Sequence, residues 1–462
     1  MLLRPTLLAL ALAAALPPAG AMDLLDAWRA ASAHDPEFAA ARASHDAGEA
    51  RREEGTALWR PTVALQAGAG WATQENSIRG AQFSAPGFGQ SSGVDFDTSV
   101  TGGTATRYAL SLRQPLYNAE LDAQREQLKA AADLGGQEWR AAQQQLMLRA
   151  TQRYFDLALA AQQVRLLQEQ EQAAERARVQ AEDRFRLGDR PVTDVHEAAA
   201  RADALRAQRL AAQSELEMRR TLLADLVGQP VTGELAVPPA AGGQAPAPLE
   251  PLDTWLARAC ADSPRVLAAQ AQLASAQQES RKTAAALAPT LDLVAQMGRD
   301  YLSGSGAYGN ASNAANNAAL GVQLTVPLYT GGMRSARHSE NEALARKSLA
   351  DLDLARLQAT QQTRAAWLDL SVARSRIAAL ESGWRASLAR LDATQVGLQA
   401  GDRTTLDLLN AQNDAAAAEY ALLQARTQQA MQQLRLAAAA GQLDEDRLAA
   451  VNRTLAAPPV AR

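Results

Sequence analysis

Two long stretches of the chain have the apolar and polar pattern of helices and contain no internal proline. The first runs from about residue 118 to 187 and is interrupted only by the Gly135-Gly136 pair, and the second runs from about 335 to 400. At 1.5 Å per residue, the first helix would be roughly 100 Å long. Shorter helical stretches cover 23–59, 194–227 and 406–440. Helices of this length are typical of coiled-coil tubes rather than of compact globular domains.

Four segments alternate apolar residues with small or polar ones, which predicts strands with one apolar face. Their apolar positions are Val63, Leu65, Ala67, Ala69 and Trp71; Tyr108, Leu110 and Leu112; Leu291, Leu293, Ala295 and Met297; and Leu320, Val322, Leu324 and Val326. Residues 72–103, rich in Gly, Ser, Thr and Asn, and residues 299–318 are expected to be loops. Proline ends a strand ladder and suits a first helical turn. The prolines expected at strand–helix joints are Pro61, Pro115, Pro289 and Pro327.

Two short motifs predict the tips of helical hairpins. Gly401 fits the left-handed residue that ends one helix, and Thr404 with Asp407 fits the capped start of the next. A close copy lies upstream at one constant offset of 213 residues (401 − 188), with Gly188 and Asp194 in place of Gly401 and Asp407. Two matching tips in one chain indicate an internal duplication.

The duplication divides the chain into segments. We expect a first repeat over 22–227 and a second over 251–440, joined by a linker over 228–250 that is rich in proline and glycine. Residues 441–462 form a polar, proline-containing tail that we expect to be poorly ordered. Residues 1–21 have the basic start, short apolar run and small-residue cleavage site of a signal peptide, and the run is too short for a membrane anchor.

Composition excludes several classes of function. The net charge of −4 gives no basic surface for nucleic acid, and the single cysteine, Cys260, cannot form an intrachain disulfide. The four histidines are scattered without the spacing of metal ligands. We find no nucleophile–base pattern and no glycine-rich phosphate loop, so the sequence predicts neither an enzyme nor a cofactor site.

Four strands in an open sheet would leave edges that cannot lie in lipid. Segments of about 10 residues suit a bilayer barrel, and three chains would close twelve strands by threefold symmetry. The fold expected is therefore mainly α-helical with a membrane portion. Duplicated β-β-α-α repeats would give a 12-stranded trimeric β-barrel, continuous with a periplasmic coiled-coil barrel. A soluble periplasmic coiled-coil scaffold and a secreted filament are the alternatives.

The duplicated pattern resembles the TolC family of trimeric outer-membrane channels. The resemblance covers almost the whole mature chain and is carried by 114–117 (QPLY), 326–329 (VPLY) and 401–412 (GDRTTLDLLNAQ), with Ala418 and Tyr420 downstream. It implies an exit duct that crosses the outer membrane and contacts its lipid. It also implies a periplasmic adaptor and an inner-membrane ABC or proton-driven transporter as partners. The resemblance points to type I protein secretion, with small-molecule efflux as the alternative.

The resemblance also implies a gate at the tips. Asp407 matches an aspartate of the constriction, and Arg403 matches an arginine that links to the neighbouring tip at the positions of Thr193 and Asp194. The chain departs from the family with Asn410 in place of a second aspartate and Leu398 in place of a tyrosine, which implies fewer polar links. The tip residues expected to contact the adaptor are Gly188, Asp189, Arg190, Gly401 and Asp402.

Blander interpretations stay open at three places. Asp407 near a helix N-terminus is also a favourable capping carboxylate. Arg403 and Asp194 fit exposed, solvated charges as well as a gate link. Four aromatic residues fit either a girdle at a membrane interface or ordinary packing. They are Trp59, Trp71, Tyr117 and Tyr329.

Overall fold

The computed structural model describes residues 22–87, 89–189, 191–239, 248–306 and 309–455. Four of the sequence predictions fall wholly or partly outside this range. They are the signal peptide 1–21, the tip residue Arg190, the centre of the linker at 240–247, and the end of the tail at 456–462.

The order of elements is the same in the two halves of the chain. The first half contains α1 (Leu24–His34), α2 (Pro36–Ala57), β1 (Thr62–Ala85), β2 (Gly89–Tyr117), α3 (Ala119–Arg186) and α4 (Val192–Val227). The second contains α5 (Leu252–Asp262), α6 (Pro264–Ala285), β3 (Thr290–Gly306), β4 (Gly309–Thr325), α7 (Met333–Ala400) and α8 (Thr405–Ala439), followed by α9 (Glu445–Arg453). The two long helices and the four predicted strands are therefore confirmed.

The chain divides into two compact units. Among the described residues, the helical unit comprises those within 22–48, 133–270 and 350–455, and the sheet unit comprises those within 49–132 and 271–349. The helical unit has a core rich in leucine and alanine with three aromatic rings, and Leu146, Tyr154, Phe155 and Leu434 are almost fully buried. Many of the remaining core residues are alanines, which let helices approach closely along their length.

The sheet unit holds one antiparallel sheet in the order β1-β2-β3-β4. The prediction of loops over 72–103 and 299–318 was wrong, because both hairpins continue almost to their turns. Gln74 still pairs with Val100, and Ser84 with Gln90, across bulges that interrupt the ladder. The polar, glycine-rich sequence hides these strands, since backbone pairing in a hairpin does not require an apolar face.

The prediction of one continuous helix over 23–59 was also wrong. Asp35 adopts an extended conformation and separates α1 from α2, which begins at Pro36. Proline disfavours helical backbone at the residue before it and is well suited to a first helical turn. Ser263 and Pro264 repeat this break between α5 and α6.

The tail is ordered where the structure describes it, which contradicts the expectation of poor order. Helix α9 begins at Asp444, whose side chain accepts a hydrogen bond from the Arg447 backbone N–H at 2.9 Å. Leu448 and Val451 are buried in the core of the helical unit. Asn452 holds the start of α1 by accepting a hydrogen bond from the Leu24 backbone N–H and donating one to the Asp23 carboxylate.

The predicted linker begins as packed structure. Val231, Leu235 and Val237 are buried in the core of the helical unit. The Ala236 backbone N–H donates to the buried Tyr154 hydroxyl at 3.1 Å, and burial raises the pKa of Tyr154 to about 12. The segment from Val231 to Val237 is therefore packed into the core that contains α3.

The four prolines lie at or near the ends of strands. Pro61 and Pro289 directly precede β1 and β3, and Pro327 follows the end of β4. Pro115 lies inside β2 opposite Asp292, and the ladder becomes irregular between Pro115 and the end of the strand at Tyr117.

Candidate functional site at the hairpin tips and the sheet face

Both hairpin tips end their first helix in the same way. At the α3 end, Gly188 has φ 73°, its N–H donates to the Phe185 carbonyl at 2.9 Å, and the Asp189 N–H donates to the Arg184 carbonyl at 2.9 Å. At the α7 end, Gly401 has φ 83°, and its N–H and that of Asp402 donate to the carbonyls of Leu398 and Gly397. This pair of bonds is a Schellman motif, and it explains why glycine stands at both positions.

The second helix of the second tip begins with a complete capping box. The Thr404 hydroxyl accepts from the Asp407 backbone N–H at 3.1 Å, and the Asp407 carboxylate accepts from the Thr404 backbone N–H at 2.9 Å. The Thr404 hydroxyl also lies 2.8 Å from the same carboxylate oxygen. Hydrogen bonds from the Thr404 backbone and hydroxyl, with a smaller contribution from the charge of Arg403, lower the pKa of Asp407. The predicted capped start at Thr404 is confirmed.

The first tip lacks this cap. Pro191 stands at the N-cap of α4 and makes no side-chain capping bond. Asp194 occupies the same third helical position as Asp407, yet its carboxylate has no hydrogen bond or ion pair within the part of the chain that the structure describes. Asp194 is half-buried, so part of its surface is accessible to solvent.

Arg403 lies against its own hairpin. A Cβ atom added to Gly397 would be 2.7 Å from the Arg403 Cγ, so the aliphatic part of Arg403 occupies the space left by this glycine on α7. Among the described residues, no ion pair joins Arg403 to Asp194 within this chain. The guanidinium of Arg403 is exposed and forms no ion pair with a described acid, although its charge contributes to the lowered pKa of Asp407.

The remaining predicted gate residues lie around the second tip. Asn410 and Thr193 are exposed, and Leu398 is half-buried in the last turn of α7. Leu409 is buried against α3 and α4 in a small cluster with Ala174, Ala177, Ala202 and Leu205. This contact brings the start of α8 alongside the first hairpin, although it does not bring Arg403 into contact with Asp194.

The first tip also exposes apolar side chains. Leu187 is 83% exposed, and Phe185 and Val192 are each more than 40% exposed. These residues flank Gly188 and Asp189 on both sides of the turn. Exposed apolar side chains are unfavourable in water, so this group makes the tip a suitable contact surface for another protein.

Pro191 and Gly397 also determine the conformation of the tips, although neither was predicted from the sequence. Pro191 aligns with Thr404, and the loss of a hydroxyl at that position is readable from the sequence once the tips are superimposed. The role of Gly397 could not be predicted from the sequence, because it depends on the path of the Arg403 side chain across the turn.

The sheet presents one apolar face that the chain itself leaves uncovered. Strand pairing places Leu65, Leu110, Met297 and Ala318 in one row across all four strands. Leu65 is 71% exposed and Met297 is 58% exposed. The next row contains Val63, Leu112, Ala295 and Leu320. The same face therefore continues as a band of exposed aliphatic side chains, as the alternating sequence predicts.

The opposite face of the sheet carries paired charges. Arg107 forms an ion pair with Asp300, and Arg113 lies 2.7 Å from the buried Asp292. The outer edges of β1 and β4 have no strand partner within the described chain. The sheet thus combines an exposed apolar face, a polar face with neutralised charges and two open edges.

None of the helices among the described residues combines the length and apolarity that a membrane span requires. The same residues contain no group of three or more His, Cys, Asp or Glu side chains that could hold a metal ion.

Comparisons with known proteins agree with this architecture. The family described as Outer membrane efflux protein matches residues 28–229 and 255–442. The alkaline protease secretion protein AprF of Pseudomonas aeruginosa is 28% identical over 92% of this chain and 85% of its own length. The outer membrane protein TolC of Escherichia coli K12 is 25% identical over 99% of this chain and 90% of its own.

Solved structures extend the agreement to the fold. The outer membrane protein VceC of Vibrio cholerae superimposes with a TM-score of 0.68 at 19% identity, covering 90% of this chain and 96% of that one. The resemblance read from the hairpin motifs is therefore confirmed across nearly the whole sequence. The chain belongs to the outer membrane efflux protein family of TolC-like channels of the Gram-negative outer membrane.

Proposed function

We propose that this chain forms a trimeric exit duct for type I protein secretion. The observation that carries the proposal is the sheet, whose exposed apolar face is bounded by two open edges. An unpaired strand edge cannot lie in hydrocarbon, because each unsatisfied backbone group costs several kcal/mol there. Three copies joined edge to edge would give twelve strands, with the apolar face toward lipid and the charged pairs toward the lumen.

At the other end of the duct, the tips would form the gate. Three Asp407 carboxylates around the axis would attract cations. Asn410 and Leu398 would complete the constriction. They would make fewer polar links than the second aspartate and the tyrosine that the family pattern has at these positions. Arg403 would reach Thr193 and Asp194 of the neighbouring tip. The available carboxylate of Asp194 and the uncommitted guanidinium of Arg403 support this pairing.

A gate of this kind can open without unfolding. An exposed Arg–Asp pair contributes about 0–1 kcal/mol, so three such links can be broken by the binding of a partner. The exposed Leu187 and Phe185, together with Gly188, Asp189, Gly401 and Asp402, would form the surface for a periplasmic adaptor. Arg190 belongs to the same proposed surface by sequence position. An inner-membrane ABC transporter would then supply the secreted polypeptide.

The choice of secretion over efflux has its own support. AprF, 28% identical over most of this chain, is named as a protein that secretes alkaline protease. In the four-stranded part of the sheet the charges of the polar face are paired, which suits passage of an extended polypeptide of either charge. Small-molecule efflux, in which a proton-driven pump replaces the ABC transporter, is the second candidate. The description of the matched family favours it.

The test of the duct is single-channel conductance in planar bilayers. We expect the purified chain to conduct and trivalent cations to block it from the periplasmic side. Asp407→Ala should weaken that block at least tenfold, whereas Asp392→Ala, which removes an exposed acid of α7 away from the tip, should leave it unchanged. Equal block in Asp407→Ala would remove this residue from the constriction.

A second experiment tests the gate link and the substrate class. Arg403→Ser should raise the resting conductance of the channel, because it removes the gate link. In a separate fractionation experiment, recovery of the wild-type protein in the soluble periplasmic fraction would favour a scaffold over a channel. In cells that lack their own outer-membrane component, the chain should restore export of a type I substrate when its adaptor and ABC transporter are supplied. Restored antibiotic resistance without restored export would favour efflux.

A further inference from the structure

One row of the sheet breaks the apolar pattern of the outward face. Strand pairing aligns Ala67, Tyr108, Arg299 and Asn316 across β1 to β4, directly above the row that contains Leu65 and Met297. Neighbouring strands lie about 4.8 Å apart, so the Tyr108 hydroxyl, the Arg299 guanidinium and the Asn316 amide are adjacent donors. Arg299 is the one charged residue that the four-stranded part of the described sheet places on this face.

Arg299 differs from the two arginines on the opposite face of the four-stranded part of the sheet. Arg107 and Arg113 on the opposite face are each paired with an aspartate. Arg299 is exposed and has no ion pair or hydrogen bond to any residue that the structure describes. A cation on a face otherwise made of aliphatic and small polar residues is unfavourable in lipid unless it lies near an interface and meets an anion.

The position of Arg299 along the strand meets the first condition. From Leu291, which pairs with Tyr117, to Tyr301 is ten residues of β3, or about 33 Å of strand and about 25 Å of height at a tilt of roughly 40°. That height equals the apolar band of outer-membrane proteins. Tyr301 and Trp71 lie beyond Arg299 on the same face, so Arg299 lies just inside an aromatic girdle.

This girdle is at the outer surface of the cell if the proposed function is correct. Helix α3 follows β2 at the Tyr117 end, and the hairpin turns lie at the other end, beyond Trp71 and Tyr301. With the helices in the periplasm, Arg299 faces the outer leaflet. The outer leaflet of Gram-negative bacteria consists of glycolipids that carry phosphate groups and several acyl chains.

The surface around Arg299 has the shape and polarity for such a lipid. An open groove of about 420 Å³ runs over this part of the face and is lined by Tyr108, Arg299 and Asn316 at its upper end. Its lower end is lined by Leu65, Leu110, Met297 and Ala318. Arginine forms paired hydrogen bonds with phosphate, while the aliphatic side chains below can cover an acyl chain.

We propose that Tyr108, Arg299 and Asn316 bind the phosphate of an acylated glycolipid of the outer leaflet, with an acyl chain lying over Leu65 and Met297. The proposal rests on the proposed membrane orientation of the channel. It assigns a lipid rather than free phosphate, because the donors and the apolar groove are continuous. Three such sites would surround the trimer.

The test is native mass spectrometry of the purified full-length protein in detergent with lipid A added. We expect wild type to retain lipid A, and Arg299→Gln to weaken retention about five- to tenfold, the range for one basic residue at a membrane surface. Arg107→Gln, which removes an arginine of the opposite face, should retain lipid A as wild type does. Arg299→Lys should retain part of the binding.

Measurements on the unchanged protein keep the proposal testable if Arg299→Gln fails to assemble. Dephosphorylated lipid A should bind wild type about five- to tenfold more weakly than lipid A, and excess inorganic phosphate should not displace lipid A. Equal binding of both lipids, unchanged retention by Arg299→Gln, or full displacement by phosphate would each overturn the proposal. If wild type forms no conducting channel, the proposed function fails; a conducting channel with unchanged retention in Arg299→Gln rejects only the lipid site.

Discussion

The two halves of the chain end their long helices alike and begin the returning helices differently. Gly188 and Gly401 form the same Schellman turn, and Asp194 and Asp407 stand at the same helical position. The Asp407 carboxylate is held by its own N-cap, while Asp194 follows a proline and is held by nothing in the described chain. The duplicated motif thus contains one acid that its own cap holds and one acid that has no bond to a described residue.

A second contrast lies at the other ends of the returning helices. Gly228 follows α4 with φ 73°, and an added Cβ would overlap the His34 ring at the break between α1 and α2. Gly441 follows α8 with φ 70°, and an added Cβ would overlap the backbone of Asp262 and Ser263 at the break between α5 and α6. We call these two contacts the joints of the first and second half. At the first joint the His34 side chain can rotate away from an added Cβ, whereas at the second joint only the backbone could move.

The largest expected effect separates these two joints. Gly441→Ala should destabilise the folded protein by about 2–4 kcal/mol, because it combines left-handed backbone with an overlap that only backbone movement can relieve. Gly228→Ala should cost about 1–2 kcal/mol, since the His34 side chain can rotate away. Thermal unfolding in detergent, followed by circular dichroism, measures both. Combining Gly228→Ala with His34→Ala is the control and should lower the cost further.

Equal destabilisation by the two glycine substitutions would contradict the contrast. It would mean that the left-handed conformation, and not the contact with the neighbouring break, determines the cost at both joints.

The next effect concerns the cap of α8. Thr404→Ala removes the hydroxyl that accepts from the Asp407 N–H and should destabilise the second tip by about 1 kcal/mol. Thr405→Ala, which changes the neighbouring threonine inside the helix, is the matched control and should have little effect. Hydrogen exchange of the first turn of α8 reports the local change. If both variants exchange equally, the capping box does not stabilise this tip.

These contrasts show which features the sequence could predict. The two tips, the long helices and the strand alternation follow from local rules, because glycine, proline and a period of two each fix the backbone over a few residues. The outer parts of β1 and β2 could not be predicted as strands from the sequence, because they lack the alternation of apolar and polar residues that marks a strand with one buried face. Helix α9 could not be predicted from the sequence, because it is short and has too few apolar residues to show a helical period. Its Leu448 and Val451 are buried in the core of the helical unit.

The candidate site was less accessible than the fold. The resemblance to the family indicated Asp407, Arg403 and Asp194, but it could not show that only one of the two acids is held by a cap. Similarly, Arg299 was not selected, because an arginine in a predicted loop has no special meaning. Its meaning comes from the pairing that places it on the outward face of a strand.

A smaller effect tests whether the free acid of the first tip is used. Pro191→Thr supplies the missing hydroxyl, so that Asp194 can enter a capping box like that of Asp407. We expect a stability gain of about 0.5 kcal/mol in the first tip and a higher resting conductance, because Asp194 would be less available to Arg403 of the neighbouring chain. Pro191→Ala, which lacks the hydroxyl, should keep the wild-type conductance. Equal conductance in the two variants would count against the link.

The smallest effect is a matter of pH. Hydrogen bonds from Thr404 lower the pKa of Asp407, so the ionised form, and the capping it provides, is fully present above the ordinary aspartate pKa of about 4 and is lost only as the pH falls through the lower value. Mutual repulsion of three such carboxylates would act in the opposite direction.

We expect the cap to dominate, since each carboxylate keeps its own two Thr404 donors in the assembled channel. Block by trivalent cations should then be unchanged between about pH 7 and pH 5, measured as single-channel conductance. Thr404→Ala should shift the loss of block toward higher pH, because it removes one of the two donors. Loss of block in the wild type above about pH 5 would show that repulsion within the ring outweighs the cap.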